Sequence, residues 1–210
     1  MLKAKIAVLV SGGGTNLQAL IDAQKSGKLH SGEIALVVSN NQNAYALQRA
    51  KQNNIKTETL IKTERGQDKF ETALISLLEK NEIDLIVLAG FMTILSSRFI
   101  SHFEGRIINV HPSLIPAFSG KGFYGLKVHK EALRRGVKIT GATVHFVNEI
   151  PDGGEIILQK AVPVKSGDTP EILQHRVMER AEWDILPRAC EKISREICKN
   201  KKGTAFYEYI

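Results

Sequence analysis

Asn109 and His111 stand two residues apart at the end of an apolar run, Arg106-Ile-Ile-Asn-Val-His, and Pro112-Ser113 follow them. Residues i and i+2 of a strand project to the same face, so an amide and an imidazole here can address one atom. The amide NH2 can donate to a developing oxyanion, and the imidazole can exchange a proton near neutral pH. Pro112 cannot continue a sheet ladder, and Ser113, Pro116 and Gly120 read as a loop. The pair is therefore expected where a strand ends, the edge at which open α/β sheets bind ligands. The competing reading is structural: Asn109 closes the strand end and His111 packs beneath the loop.

Asp152, ahead of Gly153-Gly154, is the second candidate. Asp-Gly-Gly alone is a turn signal. If that loop folds over the strand end, the carboxylate favours protonated His111 and raises its pKa, making the imidazole a general acid. His145, on the preceding strand, reads as a structural histidine with the option of lying near Asp152.

Ser11-Gly-Gly-Gly-Thr15-Asn16 joins a first strand to a first helix. Glycines let backbone N–H groups approach an anion, and the helix N-terminus adds partial positive charge, so a phosphate is expected there. The alternative is a turn needed only for tight strand–helix packing. The dinucleotide fingerprint is not met, because Leu17 stands where its third glycine belongs and Ser39-Asn40-Asn41 follows the second strand in place of an acid. The Gly-Lys-Ser/Thr ending of a triphosphate loop is missing too.

The elements that must position these groups follow from periodicity. Strands are expected at residues 5–10, 33–39, 55–60, 84–89 and 106–110, and helices at 16–25, 45–52, 68–80 and 95–103. The third helix should bury Phe70, Ala73, Leu74, Leu77 and Leu78. This alternation predicts an α/β fold with a doubly wound, mainly parallel sheet. The later half reads as a helix at 126–135 and strands at 140–147 and 156–164, joined by a short connection that makes them an antiparallel extension. Thr169 and Pro170 open a long helix expected to run to about Lys199, with a break at Pro187. Neither repeats nor linkers interrupt the pattern, so one domain is expected over 1–210, with a phosphate-binding half at 1–105 and a catalytic half at 106–210.

Composition narrows the class. No apolar run approaches the ~20 residues that span a bilayer, and the short run at Ile6 to Val10 lacks a secretion-signal cleavage site, so a cytoplasmic location is expected. Cys190 and Cys198 lie eight residues apart in one helical segment, ~12 Å of rise, too far to bridge. The net charge of +7 fits nucleic-acid binding or anionic small substrates; the basic run at 199–202 reads as a solvated tail.

Ser11-Gly-Gly-Gly-Thr-Asn16, Leu88-Ala-Gly-Phe-Met-Thr-Ile-Leu95, Ile108-Asn-Val-His-Pro-Ser-Leu-Ile-Pro116, Gly141-Ala-Thr-Val-His-Phe-Val147 and Asp152-Gly-Gly together resemble the phosphoribosylglycinamide formyltransferase family. The resemblance runs in order over nearly the whole chain. It implies a Rossmann-like formyltransferase fold and transfer of the formyl group of 10-formyltetrahydrofolate to the amine of glycinamide ribonucleotide (GAR) in purine biosynthesis, with no metal. It implies that Asn109, His111 and Asp152 are catalytic. Gly14, Thr15 and Asn16 would hold the GAR phosphate and ribose. Glu182 would contact the ribose, at a place where alignment needs a one-residue shift. Met92, Thr93, Ile94 and Leu95 would wall the pterin pocket, which Asn109 also faces, and the loop from Asn148 through Glu149 to Asp152 would close over it. The family's polar contact ahead of the fourth strand is often Arg; here Gln67 stands, with Arg65 nearby. The loop at 119–125 looks longer than in some members.

The implied partners are these two small molecules, with neither nucleic acid nor membrane, in a monomer or homodimer. The nearest alternative is 10-formyltetrahydrofolate deformylase, a family that typically has His where Pro112 stands and a further N-terminal domain, for which a first strand at residue 5 leaves no room. Methionyl-tRNA formyltransferases usually carry Arg-Gly after the Leu-Pro, where this chain has Ala117-Phe-Ser-Gly120. A non-catalytic phosphate- or RNA-binding module would suit the charge but not three intact catalytic positions.

Overall fold

Ala4–Val10 (β1) is apolar at every position except Lys5, and six of its seven residues are buried. A strand apolar on both faces must lie inside a sheet covered on both sides. β1 is indeed hydrogen-bonded in parallel to Gly32–Ser39 (β2) and to Leu85–Leu88 (β4). The computed structural model describes residues 2–62 and 66–201.

Lys56–Thr59 (β3) flanks β2, Ile107–His111 (β5) flanks β4, and Ile139–Phe146 (β6) and Ile156–Pro163 (β7) complete the seven-stranded order β3-β2-β1-β4-β5-β6-β7. The first five strands run parallel and the last two pair antiparallel. This is the expected α/β, doubly wound, mainly parallel sheet with an antiparallel extension.

Alternation along β1 divides the core. Ile6, Val8 and Val10 pack with helices Thr15–Lys25 (α1), Tyr45–Gln52 (α2), Leu126–Arg134 (α5), Pro170–Val177 (α6) and Trp183–Lys201 (α7). Ala7 and Leu9 pack on the opposite face with Gln67–Lys80 (α3) and Ser97–His102 (α4). Phe99 and Phe103 are fully buried there, with ring centroids 5.0 Å apart. Truncating either to Ala would cost about 3–5 kcal/mol.

Three expectations are corrected. The buried stripe of α3 is Phe70, Glu71, Leu74, Ile75 and Leu78, while Ala73 is exposed. A carboxylate thus occupies a core-facing position of an otherwise apolar 3-4 repeat. The helix expected at 95–103 is only Ser97–His102, because Leu95 drops into the core and the Ser96 hydroxyl caps the helix by accepting from Phe99 N–H. The long C-terminal helix does not break at Pro187, which lies inside α7. It widens earlier, into a π-helical turn at Met178–Glu182. Pro187 has no N–H for the carbonyl one turn before it, and the irregularity falls at that end.

Candidate active site

The chain leaves β1 toward β2 and β3 on one side and returns to β4 on the other. This reversal opens a crevice at the carboxyl ends of β1 and β4, where ligands bind in such sheets. The glycine turn follows β1 and the segment 89–96 follows β4, so both border the crevice. Met92 N–H donates to Ser11 Oγ at 2.8 Å and ties them together.

Gly14 ends the turn at φ +72°, and a Cβ there would lie 2.5 Å from that of Ala46. Only glycine fits. No side chain caps α1, so its first N–H groups face the crevice end of the sheet without a cap of their own. Asn16 is buried and its Nδ2 donates to Glu182 Oε2 at 2.7 Å, while its Oδ1 has no protein partner. Glu182 ends the π turn. A π turn holds one residue more than an α turn, the same size of offset as the one-residue shift needed to align this acid. Burial pushes the Glu182 carboxyl up to about 7, against the opposing Asn16 hydrogen bond. Gly14, Thr15, Asn16 and Glu182 therefore share one end of the crevice.

β5 delivers the amide and imidazole as the spacing requires. Asn109 lies opposite Leu88 of β4 on one side and His145 of β6 on the other, and His111 lies opposite Thr143. The His145 Nδ1–H donates to Phe146 O at 2.8 Å, which leaves Nε2 to accept from Asn109 Nδ2 at 3.2 Å. An amide NH2 has two hydrogens. One is therefore fixed by His145, and the other has no partner among the described residues. His145, expected as a structural histidine, is also a part of this site, since its Nε2 is 3.6 Å from Asp152 Oδ1.

Asp152 reaches the same point from the β6–β7 loop. Its backbone adopts φ +56°, which Asp tolerates, and its Oδ2 accepts from Gly120 N–H at 2.8 Å. That oxygen lies 3.4 Å from His111 Nδ1. His111 Nε2–H donates to Phe118 O at 2.9 Å. Phe118, at φ +51°, belongs to a loop pinned from beneath by Thr143, whose hydroxyl donates to Ser113 O and accepts from Ile115 N–H.

The electrostatics correct one expectation. The His111 imidazole is 4% exposed, and burial lowers its pKa more than Asp152 and the Phe118 carbonyl raise it. Desolvation is the largest of these effects, and the neighbouring His145 acts in the same direction. The Phe118 carbonyl can only accept, so the imidazole carries a proton on Nε2 and turns Nδ1 toward the carboxylate. For Asp152, burial pushes the pKa up, but His145, His111 and the Gly120 N–H together outweigh it, and the carboxylate lies below its usual range. Beneath His111, His129 is fully buried with neither ring nitrogen bonded to protein, and burial together with His111 takes its pKa down to about 4. No sequence signal marked His129, which lies on the apolar stripe of α5.

Of the residues expected to wall a pterin pocket, Met92 and Ile94 are exposed at 58% and 83%, while Leu95 is buried in the core. Thr93 Oγ1 accepts from Asn40 Nδ2 at 2.7 Å. Gln67 donates both to Glu71 Oε1 and to Ile94 O, at 2.6 and 2.7 Å. Arg65 lies outside the described residues. Asn148 braces its own loop by donating to Gly153 O and accepting from Ile150 N–H, and Glu149 is exposed. A cavity of about 790 Å³ opens between α1 and α7, lined by Thr15, Trp183 and Pro187 among others. Asn109, His111 and Asp152 do not line it; they stand at the open strand edge.

A model of the formyl transferase family matches residues 4–190. The chain is 44% identical over 183 residues to the phosphoribosylglycinamide formyltransferase of Escherichia coli, covering 87% of this chain and 83% of that protein. It is 46% identical to the trifunctional purine biosynthetic protein adenosine-3 of Gallus gallus over 91% of its own length, but spans only 18% of that protein. The crystal structure of glycinamide ribonucleotide transformylase 1 from Symbiobacterium toebii superposes with a TM-score of 0.86 at 39% identity, covering 92% of this chain and 89% of that one. A formyltetrahydrofolate deformylase from Pseudomonas syringae superposes at 0.82 with 27% identity, over 92% of this chain and 62% of its own. Sheet order and these matches agree, and the chain belongs to the formyl transferase family.

Proposed function

We propose that this protein transfers a formyl group from 10-formyltetrahydrofolate to the amine of GAR, in purine biosynthesis. The reading rests on one convergence: Asn109, His111, His145 and Asp152 meet at the end of β5, with separations of 3.2 to 3.6 Å, beside an uncapped glycine turn. Family membership supplies the formyl chemistry. The GAR phosphate would rest on Gly14, Thr15 and Asn16, and its ribose on Glu182 and the free Asn16 Oδ1. The pterin would lie against Met92 to Leu95 and under the loop from Asn148 through Glu149 to Asp152.

The residues then act in order. The amine attacks the formyl carbon, and the free Asn109 N–H stabilises the oxyanion. The attacking nitrogen gives its extra proton to His111 Nδ1, whose positive charge Asp152 then balances. The imidazolium passes that proton to the departing nitrogen of tetrahydrofolate as the tetrahedral intermediate collapses. His145 holds the Asn109 amide in the plane it needs. Gln67 shapes the wall instead of offering an N–H to the folate, because its amide hydrogens are engaged within the protein.

On this reading residues 1–210 act as one domain, 1–105 binding GAR and 106–210 carrying catalysis and folate. It works in the cytoplasm as a monomer or homodimer on two small anionic substrates, with no nucleic acid, membrane or metal. Among the described residues no helix is long and apolar enough to cross a membrane.

The test is tetrahydrofolate release from 10-formyltetrahydrofolate with and without GAR. Release that requires GAR and yields formyl-GAR supports the transferase. Release without GAR supports hydrolysis, the second reading, favoured by the likeness to the deformylase. No release in either case overturns both.

A further inference from the structure

Glu71 is an acid in the wrong place for a merely soluble helix. It is fully buried on α3, yet no part of the proposed chemistry involves it. Burying a carboxylate is unfavourable unless hydrogen bonds replace its water. Here three donors do so. Oε1 accepts from Gln67 Nε2 at 2.6 Å and from Ser96 N–H at 2.7 Å, and Oε2 accepts from the Ser96 hydroxyl. Two of the three come from the residue that ends the segment 89–96. The third, Gln67, reaches on to Ile94 O. One carboxylate thus grips the segment at 94 and at 96.

This segment presents Met92 and Ile94 to solvent at the crevice, although both are large and apolar. Such side chains hold a flat ligand only if their backbone is fixed, since each ordered residue otherwise carries an entropic cost into binding. The segment has no regular secondary structure before α4, so its own backbone hydrogen bonds do not fix it. Side chains from elsewhere do: Ser11 at residue 92, Asn40 at 93, Gln67 at 94 and Glu71 at 96. Of these Glu71 alone is both fully buried and bonded to two of the other parts.

We propose that Glu71 is a positioning residue for the formyl donor, setting the shape of the Met92–Leu95 wall through Ser96 and Gln67. It touches no substrate. The inference rests on the proposed pterin site and names what holds it.

The full chain carrying Glu71→Gln tests it. Glutamine keeps the size but removes the charge and replaces the acceptor facing the Ser96 hydroxyl by a donor, so that hydroxyl, which also receives the Phe99 N–H, must turn to accept and the charge-assisted bond is lost. The expected result is a KM for 10-formyltetrahydrofolate raised about tenfold, with kcat and the KM for GAR changed by less than about twofold. Ser96→Ala should act in the same direction, and the double variant should be no worse than the more affected single one, because both remove one linkage. If Glu71→Gln does not fold, Ser96→Ala carries the test alone. An unchanged donor KM in the folded variants overturns the proposal. So does a parallel loss of affinity for both substrates that follows the fall in Tm, since a merely structural role predicts that. Should the wild-type protein show no GAR-dependent turnover, the transferase reading fails separately. Calorimetric titration with tetrahydrofolate then decides: weaker binding by the variant supports the role of Glu71, and equal or absent binding overturns it.

Discussion

Asn109 and His145 face each other across β5 and β6, with the amide nitrogen 3.2 Å from the imidazole Nε2. His145 Nδ1 is committed to the Phe146 carbonyl, so with one ring proton the imidazole accepts from the amide at Nε2, and Asn109 is fixed with one N–H directed elsewhere. Replacing Asn109 by Ala should lower kcat about 10²–10³-fold, the usual effect of losing one oxyanion donor. Stability should change by no more than about 1 kcal/mol, as one hydrogen bond is lost. Steady-state kinetics with a urea melt would check both, and near-wild-type kcat would defeat the assignment.

Asp152→Asn keeps an oxygen for the Gly120 N–H but removes the charge beside His111. Burial would then act on the imidazole with less opposition, so its pKa should fall further. The expected outcome is a kcat lower by about two orders of magnitude, with the acid limb of the kcat/KM profile displaced to lower pH. A pH–rate profile superimposable on that of the wild type would count against the His111–Asp152 pair.

Gly14→Ala should be poorly tolerated. It forces a Cβ into φ +72° and to within 2.5 Å of Ala46. The two effects together should destabilise by about 2–4 kcal/mol, and displacement of the α1 N-terminus should raise the KM for GAR more than that for the donor. Gly12→Ala is the control, since nothing lies within 4 Å of its added Cβ.

Glu182 and His129 give stability opposite pH slopes. Glu182 binds its proton up to about pH 7 when folded but only to about 4.5 when unfolded. The native state holds the extra proton in that window, so stability falls as pH rises through it. His129 is neutral down to about pH 4 when folded but titrates near 6.5 when unfolded. There the unfolded state holds the extra proton, and stability rises with pH. Each contributes about 3 kcal/mol over its window. The two slopes cancel between pH 4.5 and 6.5. Glu182→Gln should unmask the histidine, giving a protein that gains stability on going from pH 4.5 to 6.5 and exceeds the wild type above pH 7, while its KM for GAR rises. Thermal melts across this range would show it; a variant no more stable than the wild type at pH 8 would refute the buried-acid account.

The chain's local pattern determined a good deal by itself. Five apolar runs separated by helical repeats leave few arrangements other than a doubly wound sheet, because a strand apolar on both faces must be covered on both. The period of two put Asn109 and His111 on one face, and β5 carries His111 to its last residue. Glycine at 14 and the uncapped helix after it are local facts too. What lay beyond the sequence were relationships set by register and burial. That His145 pairs with Asn109 depends on the alignment of two antiparallel strands, which no single segment encodes. That Glu71 is a clamp and not a solvent-facing charge depends on how α3 is rotated against the sheet, by one position from the stripe its apolar residues suggest. That the last helix runs on through Pro187 and widens one turn before it, at Met178–Glu182, is a feature of the folded chain that the proline alone does not locate. And the sign of the His111 shift was decided by tertiary structure alone: proximity to Asp152 raises the pKa, burial lowers it, and only the folded protein fixes how much water the imidazole loses.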